Sequence, residues 1–193
     1  MSDELFDPQR PHLGGAYPQG DSNTIMPDVW GYLIVKYQPR SFLDVGCGFG
    51  YAMEWFSKNL VHVRGIDGWR RAIRENRVPG HAIEHDFTRG PHWLGENYDL
   101  CWSAEFLEHV EARYLPNVMQ AFRWCRNVVI THAEPGQDGY HHVNCQDNSY
   151  WIKVFEEWGF HHDAEETALL RATDRWKAGW GRRTLMSFRR NWP

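Results

Sequence analysis

Residues 43–50 read LDVGCGFG, an apolar strand signal that breaks into glycines at every second position. Asp44 and Val45 end the strand, and the chain turns through Gly46, Cys47, Gly48, Phe49 and Gly50. Glycines here permit φ > 0 and let the backbone pass close beneath a ligand. The segment YAMEWFSKN that follows reads as a helix, whose first N–H groups have no partner within the helix.

The next apolar run, VHVRGID, ends in Asp67, seventeen residues after Gly50. A carboxylate at the end of a second strand can accept both hydroxyls of a ribose, as in dinucleotide folds. The spacing is GxGxG, not the GxGxxG of the nicotinamide fingerprint, whose third glycine serves helix packing. A glycine turn alone is a weak signal. Strand, turn, helix and an acid at the next strand end make a specific one.

Outward from this centre, strand and helix signals alternate. WRRAIRENR reads as a helix, HAIEHDF as a third strand, and RGPHWLGENY as a loop. YDLCWSAE reads as a fourth strand and PNVMQAFRWC as a helix after the Pro116 breaker. RNVVITHA is a fifth strand and NSYWIKVFEEWGF a helix closed by Gly159. ALLRATD and RTLMSFRR are expected to supply two final strands. Upstream, PDVWGYLIVKYQ carries apolar residues at helical spacing, with Pro27 at its start and Pro39 at its stop. One domain over 1–193 is expected: an irregular arm over 1–24, an N-terminal helix over 25–40 and a core over 41–193. The alternation implies a mainly parallel sheet with helices on both faces, an α/β fold of Rossmann-like, doubly wound type.

LDVGCGFG, GID, HDF and YDLCWSAEFLEHV together resemble the first to fourth motifs of the class I S-adenosylmethionine-dependent methyltransferases, over roughly residues 40–160. The resemblance implies seven strands with the last antiparallel, which suits TLMSFRR. It implies that Gly46, Cys47 and Gly48 line the methionyl part of S-adenosylmethionine, with Asp44 accepting from its ammonium. Asp67 would hold the ribose hydroxyls, and Gly68 and Trp69 would flank the adenine. Asp86 would accept from the adenine amino group with Phe87 beside the ring; a capping role before Thr88 is the competing reading. Ser103 and Glu105 would border the sulfonium.

Methyl transfer from a sulfonium needs a positioned nucleophile and an excluded solvent. A hydroxyl nucleophile also needs a base or a metal. Glu105, Glu108 and His109 in SAEFLEHV share one face if that stretch is helical. His132 follows the fifth strand, and His141 and His142 lie in the loop beyond. The base is expected to be His142 or His132, with Glu105 and His109 as further catalytic candidates. ExxEH plus a later histidine is similar to the metal site of small-RNA 3′-terminal 2′-O-methyltransferases. Glu105, Glu108, His109 and His142 are therefore the candidate ligands for Mg²⁺ or Mn²⁺. SAEF in place of a [DNS]PP[YFW] segment argues against amino methylation of bases, and the lack of Pro-Cys against cytosine C5 chemistry.

The expected function is methyl transfer to an oxygen, with nitrogen second, of a small molecule or saccharide. The alternatives are metal-assisted RNA ribose 2′-O-methylation and a non-catalytic cofactor-binding partner subunit. Net charge is −4, which gives no general attraction to nucleic acid or anionic membrane. The cations Arg171, Arg175, Lys177, Arg182, Arg183, Arg189 and Arg190 gather near one end against the single acid Asp174. They read first as a solvated, partly edge-strand surface and second as a phosphate contact. Four cysteines without metal spacing, no signal-peptide pattern and no membrane-length apolar run lead to the expectation of a cytoplasmic protein with reduced thiols. The arm and the loops RGPHWLGENY and AEPGQDGYHHVN are expected to set specificity. Tyr17, Trp93, Tyr140 and Trp151 are the aromatic candidates around a flat or sugar-like acceptor.

Overall fold

The computed structural model describes residues 9–15, 17–173, 175, 179 and 181–191. Asp174 and Lys177 of the basic stretch, and residues 1–8 and 16 of the arm, lie outside the described residues. Helix α1 (Pro27–Tyr37) starts with Pro27 in its first turn and buries Val29, Trp30 and Leu33. It ends in a left-handed cap at Gln38, whose N–H donates to Ile34 O, and Pro39 has no N–H with which to extend it.

Seven strands follow: β1 (Ser41–Val45), β2 (His62–Asp67), β3 (Ala82–Glu84), β4 (Tyr98–Ser103), β5 (Cys125–Ile130), β6 (Phe160–His162) and β7 (Met186–Arg190). They form one sheet in the order β3-β2-β1-β4-β5-β7-β6. β1 pairs in parallel with both β2 and β4, while β7 runs antiparallel to β5 and β6. The order reverses between β1 and β4, so the crevice beyond their carboxyl ends is where an open α/β sheet binds ligands. The expected Rossmann-like sheet with an antiparallel last strand is therefore the observed one.

Alternate residues of the central strands feed two cores. Leu43, Val45, Cys101, Val128 and Ile130 face α4 (Leu115–Phe122) and α5 (Asn148–Glu157), where Phe122, Trp151 and Phe155 are buried. Phe42, Leu100, Trp102 and Val129 face α1 and α2 (Tyr51–Lys58), where Trp30, Met53 and Phe56 are buried. Helix α3 (Arg70–Arg74) is shorter than WRRAIRENR led us to expect, and β3 covers only three residues of HAIEHDF.

Three expectations are corrected. ALLRATD is not a strand: it lies in α6 (Ala164–Thr173), and the missing strand is β6, just before it. Asp163 accepts the Glu166 N–H at 2.9 Å, and Glu165 and Glu166 fill the first turn, a helix-start signal that outweighs the apolar run. RTLMSFRR is split between α7 (Gly181–Thr184) and β7. SAEFLEHV is no helix either. Glu105 has φ +48°, and only Leu107–His109 forms a single 3-10 turn, so Glu105 does not share a helical face with Glu108 and His109. Among the described residues no helix is long and apolar enough to cross a membrane.

Candidate active site

At the carboxyl ends of β1, β2 and β4 lies a cleft of about 380 Å³. One side of it is built from the glycine turn. The N–H groups of Gly46 and Cys47 donate to Ile66 O at 2.9 and 3.1 Å, which ties the turn to β2. Gly46, Gly48 and Gly50 all have positive φ. A Cβ at Gly46 would overlap the Phe106 ring, so this position needs glycine for space as well as for conformation.

Asp67 closes the turn from the other side. Its Oδ2 accepts from Gly48 N–H and its Oδ1 from Trp69 N–H, each at 2.8 Å. Burial raises the Asp67 pKa, against the lowering effect of the Trp69, Gly48 and Gly68 N–H groups. Each oxygen keeps acceptor capacity toward the cleft. Asp44, 4% exposed, lines the same cleft, and burial followed by the Asp67 charge pushes its pKa well up.

The rest of the lining draws on segments far apart in the chain: Asp21, Asn23, Glu105, Gln137, Tyr140 and His142. Glu105 N–H donates to Thr131 Oγ1 at 2.9 Å, and that hydroxyl donates to Glu105 Oε1 at 2.9 Å. Thr131 is itself fixed by its N–H to Ser103 O at 3.0 Å, an extension of the β4–β5 ladder. A left-handed non-glycine residue costs about 1–3 kcal/mol and persists where its surroundings hold it; here Thr131 grips Glu105 at both backbone and carboxylate. Burial raises the Glu105 pKa, and the Thr131 bond opposes this.

Glu108 is fully buried; burial, then the Glu105 carboxylate, hold its pKa well up, while the backbone N–H groups of Glu108 and Ala133 oppose this. His109 is pushed down to about 4 by burial and the neighbouring His142, so it is neutral near pH 7. Its ring lies 5.0 Å from that of His142. His142 Nδ1 sits 3.1 Å from Gln137 O, so in the neutral ring Nδ1 carries the proton and Nε2 the lone pair. The loop is pinned to the Leu107–His109 turn by Val143 N–H and Asn144 N–H, which donate to Glu108 O at 2.9 and 3.0 Å.

Comparison with known proteins bears on this cleft directly. A family described as a methyltransferase domain matches residues 43–133, from the first residue of LDVGCGFG to just past β5. Residues 43–133 thus match a methyltransferase domain, and the fold around them is that of S-adenosylmethionine-dependent methyltransferases. No curated protein matches the chain. Among solved structures, the plantazolicin methyltransferase BpumL with S-adenosylhomocysteine is 13% identical, at a TM-score of 0.57 over 95% of this chain and 86% of that one. The magnesium protoporphyrin IX methyltransferase ChlM from Synechocystis PCC 6803, with S-adenosylmethionine, is 14% identical at a TM-score of 0.60, over 84% and 76%. The mitomycin 7-O-methyltransferase MmcR is 10% identical at 0.59, over 86% and 54%. At these identities the likeness is one of fold.

The methyltransferase cleft gathers Asp44, Gly46, Cys47, Gly48, Asp67, Gly68, Trp69, Glu105, His109 and His142. It leaves out several expected members. His132 is 1% exposed, with Nε2 2.9 Å from Asn148 Oδ1 and Nδ1 3.1 Å from Ala133 O, so neither nitrogen is available to a substrate. Ser103 is buried and donates its hydroxyl to Val45 O at 2.7 Å, a tie between β4 and β1. Asp86 and Phe87 line a smaller cavity beside the main one. Asp86 also caps the turn after it, accepting from Thr88 N–H at 2.9 Å and Thr88 Oγ1 at 2.7 Å. Burial would raise its pKa, but Thr88 and His12 hold it below the ordinary value.

Tyr17 and Tyr140 line the cleft, whereas Trp93 is exposed outside it and Trp151 is core. Of the two expected specificity loops only AEPGQDGYHHVN contributes. Of the basic stretch, Arg183 pairs with Glu134 at 2.7 Å, Arg189 with Asp163, and Arg171 donates to Leu185 O at 2.8 Å. Thr131, Asp21, Gln137 and Phe106 were not singled out from the sequence. A threonine directly after the apolar run of β5 was the one local sign of them.

Proposed function

We propose that this methyltransferase transfers its methyl group to an oxygen of a small molecule or saccharide. The carrying observation is that two proton acceptors, Glu105 and His142, line the same cleft as Asp44 and Asp67. A hydroxyl is a weak nucleophile and must lose its proton as the C–O bond forms, so a base within reach serves oxygen above all. Asp21, Asn23, Gln137 and Tyr140 around them suit a polyhydroxylated acceptor. Among the described residues no Lys or Arg lines the cleft, which leaves an anionic acceptor without a counter-charge. A solved structure of similar fold is named as a 7-O-methyltransferase. The test is a screen of sugars, alcohols, phenols and amines, read by released S-adenosylhomocysteine. Hydroxyl acceptors should turn over, and Glu105→Gln should cut the rate about 100-fold or more, the usual weight of a general base. Turnover of amines alone would overturn the proposal.

A second reading, metal-assisted methylation of an RNA ribose 2′-hydroxyl, has one observation in its favour. One ligand atom each from Glu108, His109 and His142 lie within 4.8 Å of one another. The donor set fits: a buried carboxyl, a neutral His109, and a His142 whose Nδ1 bond leaves Nε2 free to ligate. Mg²⁺ or Mn²⁺ held there would supply Lewis acidity toward a hydroxyl. The cleft's acidic lining works against a polyanionic strand. Chelator treatment followed by Mg²⁺ or Mn²⁺ separates the readings: loss and recovery of activity favours the metal, unchanged activity the plain base.

A further inference from the structure

The N-terminal arm reaches over the cofactor end of the cleft. Leu13 N–H donates to Arg10 O at 2.9 Å, which closes a turn that presents His12 and Leu13 inward. A Cβ on Gly15 would stand 3.3 Å from the Trp69 ring, so the arm backbone lies against that ring. Further along, Tyr51 donates its hydroxyl to Gln19 O at 2.9 Å. The arm is thus tied to α2 and to the turn after β2, on both flanks of the glycine turn.

Gly68, the residue after the ribose-side acid, is not in the left-handed region, so its backbone does not require glycine. Its surroundings do: a Cβ there would overlap the Leu13 side chain. Leu13 stands where a side chain of residue 68 would otherwise stand. Beside it is the smaller cavity, about 40 Å³, walled by Leu13, Gly68, Phe87 and Phe106, with His12 and Asp86 also lining it. It shares Gly68, Phe106, His12 and His109 with the main cleft. A base attached to a ribose at Asp67 has this apolar slot as its neighbour, and a flat ring suits such walls. The Thr88 bonds and the 3.3 Å approach of His12 Nε2 all fall on Asp86 Oδ1, which leaves Oδ2 to an exocyclic amino group.

We propose that Leu13 and His12 belong to the adenine-binding site: Leu13 supplies the apolar wall that Gly68 omits, and His12 steadies Asp86 for the adenine amino group. The proposal rests on the assignment of the Asp44–Asp67 end to S-adenosylmethionine. It gives a segment from outside the β1–β5 region a share in cofactor affinity.

The test is calorimetric titration of the full-length protein with S-adenosylhomocysteine. Leu13→Ala should weaken binding about tenfold, the order expected when one apolar wall is taken away from a ligand ring. Gly68→Ala should also weaken binding, because its methyl collides with Leu13. The double variant should bind more tightly than either single one, since the new methyl fills the space that Leu13 left. Melting curves without ligand establish that each variant is folded, and Leu13→Ala, in a surface arm, carries the test if Gly68→Ala is not. Wild-type affinity in Leu13→Ala overturns the proposal, and so does tighter binding, which would make the arm a competitor of the cofactor. A double variant no better than Leu13→Ala also overturns it. Asp67→Ala run alongside separates the two levels. If that variant binds normally, the cofactor assignment itself fails; if it binds poorly while Leu13→Ala is silent, only the role of the arm fails.

Discussion

The two ends of the cleft are built on different plans. The side proposed for the cofactor comes from consecutive strand ends and their turns, residues 44–50 and 67–69, where backbone N–H groups meet one buried carboxylate at 2.8 Å on each oxygen. The other side is assembled from Asp21, Glu105, Gln137 and His142, with Thr131 behind Glu105, held by side chains and including one left-handed residue. The first is rigid by backbone geometry. The second stores backbone strain, which persists because its surroundings hold it. A common cofactor can be held by a local, repeatable device. A particular acceptor has to be met by residues drawn from wherever the fold brings them.

The largest effect should come from removing the keystone of the cofactor end. Asp67→Ala deletes the acceptor for Gly48 and Trp69 N–H and any bond to a ribose; at about 1.5–3 kcal/mol per charge-assisted bond, S-adenosylhomocysteine affinity should fall at least 100-fold. Binding within threefold of wild type would show that the ends do not differ in this way. Next comes Asp44. Its folded pKa lies above the ordinary 3.8, so the folded protein holds a proton that the unfolded chain has released. The stability this gives is complete below pH 3.8 and is lost as pH rises through the folded value. In ligand-free protein Asp44→Asn should therefore flatten the fall of Tm with rising pH, by about 2–4 °C per kcal/mol of linkage removed. A Tm profile parallel to wild type would sink this assignment.

The contrast also explains what was legible in the sequence. LDVGCGFG and the acid ending GID are contiguous signals, because a glycine turn and the next strand end are linked by one short helix. The sheet could be read for the same reason, since each buried strand carries its own apolar run. ALLRATD misled because three apolar residues in a row do not distinguish a strand from one face of a helix; Asp163 and the acids after it did. SAEFLEHV misled because Glu105 is bent away by Thr131, which lies 26 residues on. His132 looked like a strand-end base, but its side chain turns to Asn148 on α5. Such choices are made by tertiary contacts, and residue spacing does not encode them. The same holds for Leu13 against Gly68, whose partners are 55 residues apart.

The smallest effect, and the sharpest probe of the acceptor end, is expected at Thr131. Thr131→Val keeps the shape of the buried side chain but removes the hydroxyl that receives Glu105 N–H and donates to Glu105 Oε1. Leaving a buried donor and acceptor unmet costs about 1–3 kcal/mol, or roughly 2–12 °C in Tm for a chain of this size. Relief of the left-handed strain, about 1–3 kcal/mol, opposes that loss if Glu105 relaxes to an ordinary conformation. The two ranges cancel to within about 2 kcal/mol, so the net change in Tm should be under about 8 °C, while Glu105 moves off its position. S-adenosylhomocysteine affinity should stay at the wild-type value, because none of the contacts at Asp44, Gly48 or Asp67 passes through Thr131. Thr131→Ser, which keeps the hydroxyl, should behave as wild type in both measurements. Should Thr131→Val weaken cofactor binding as much as Asp67→Ala does, the two ends would be one mechanical unit, and the division between a backbone-built and a side-chain-built half would not hold.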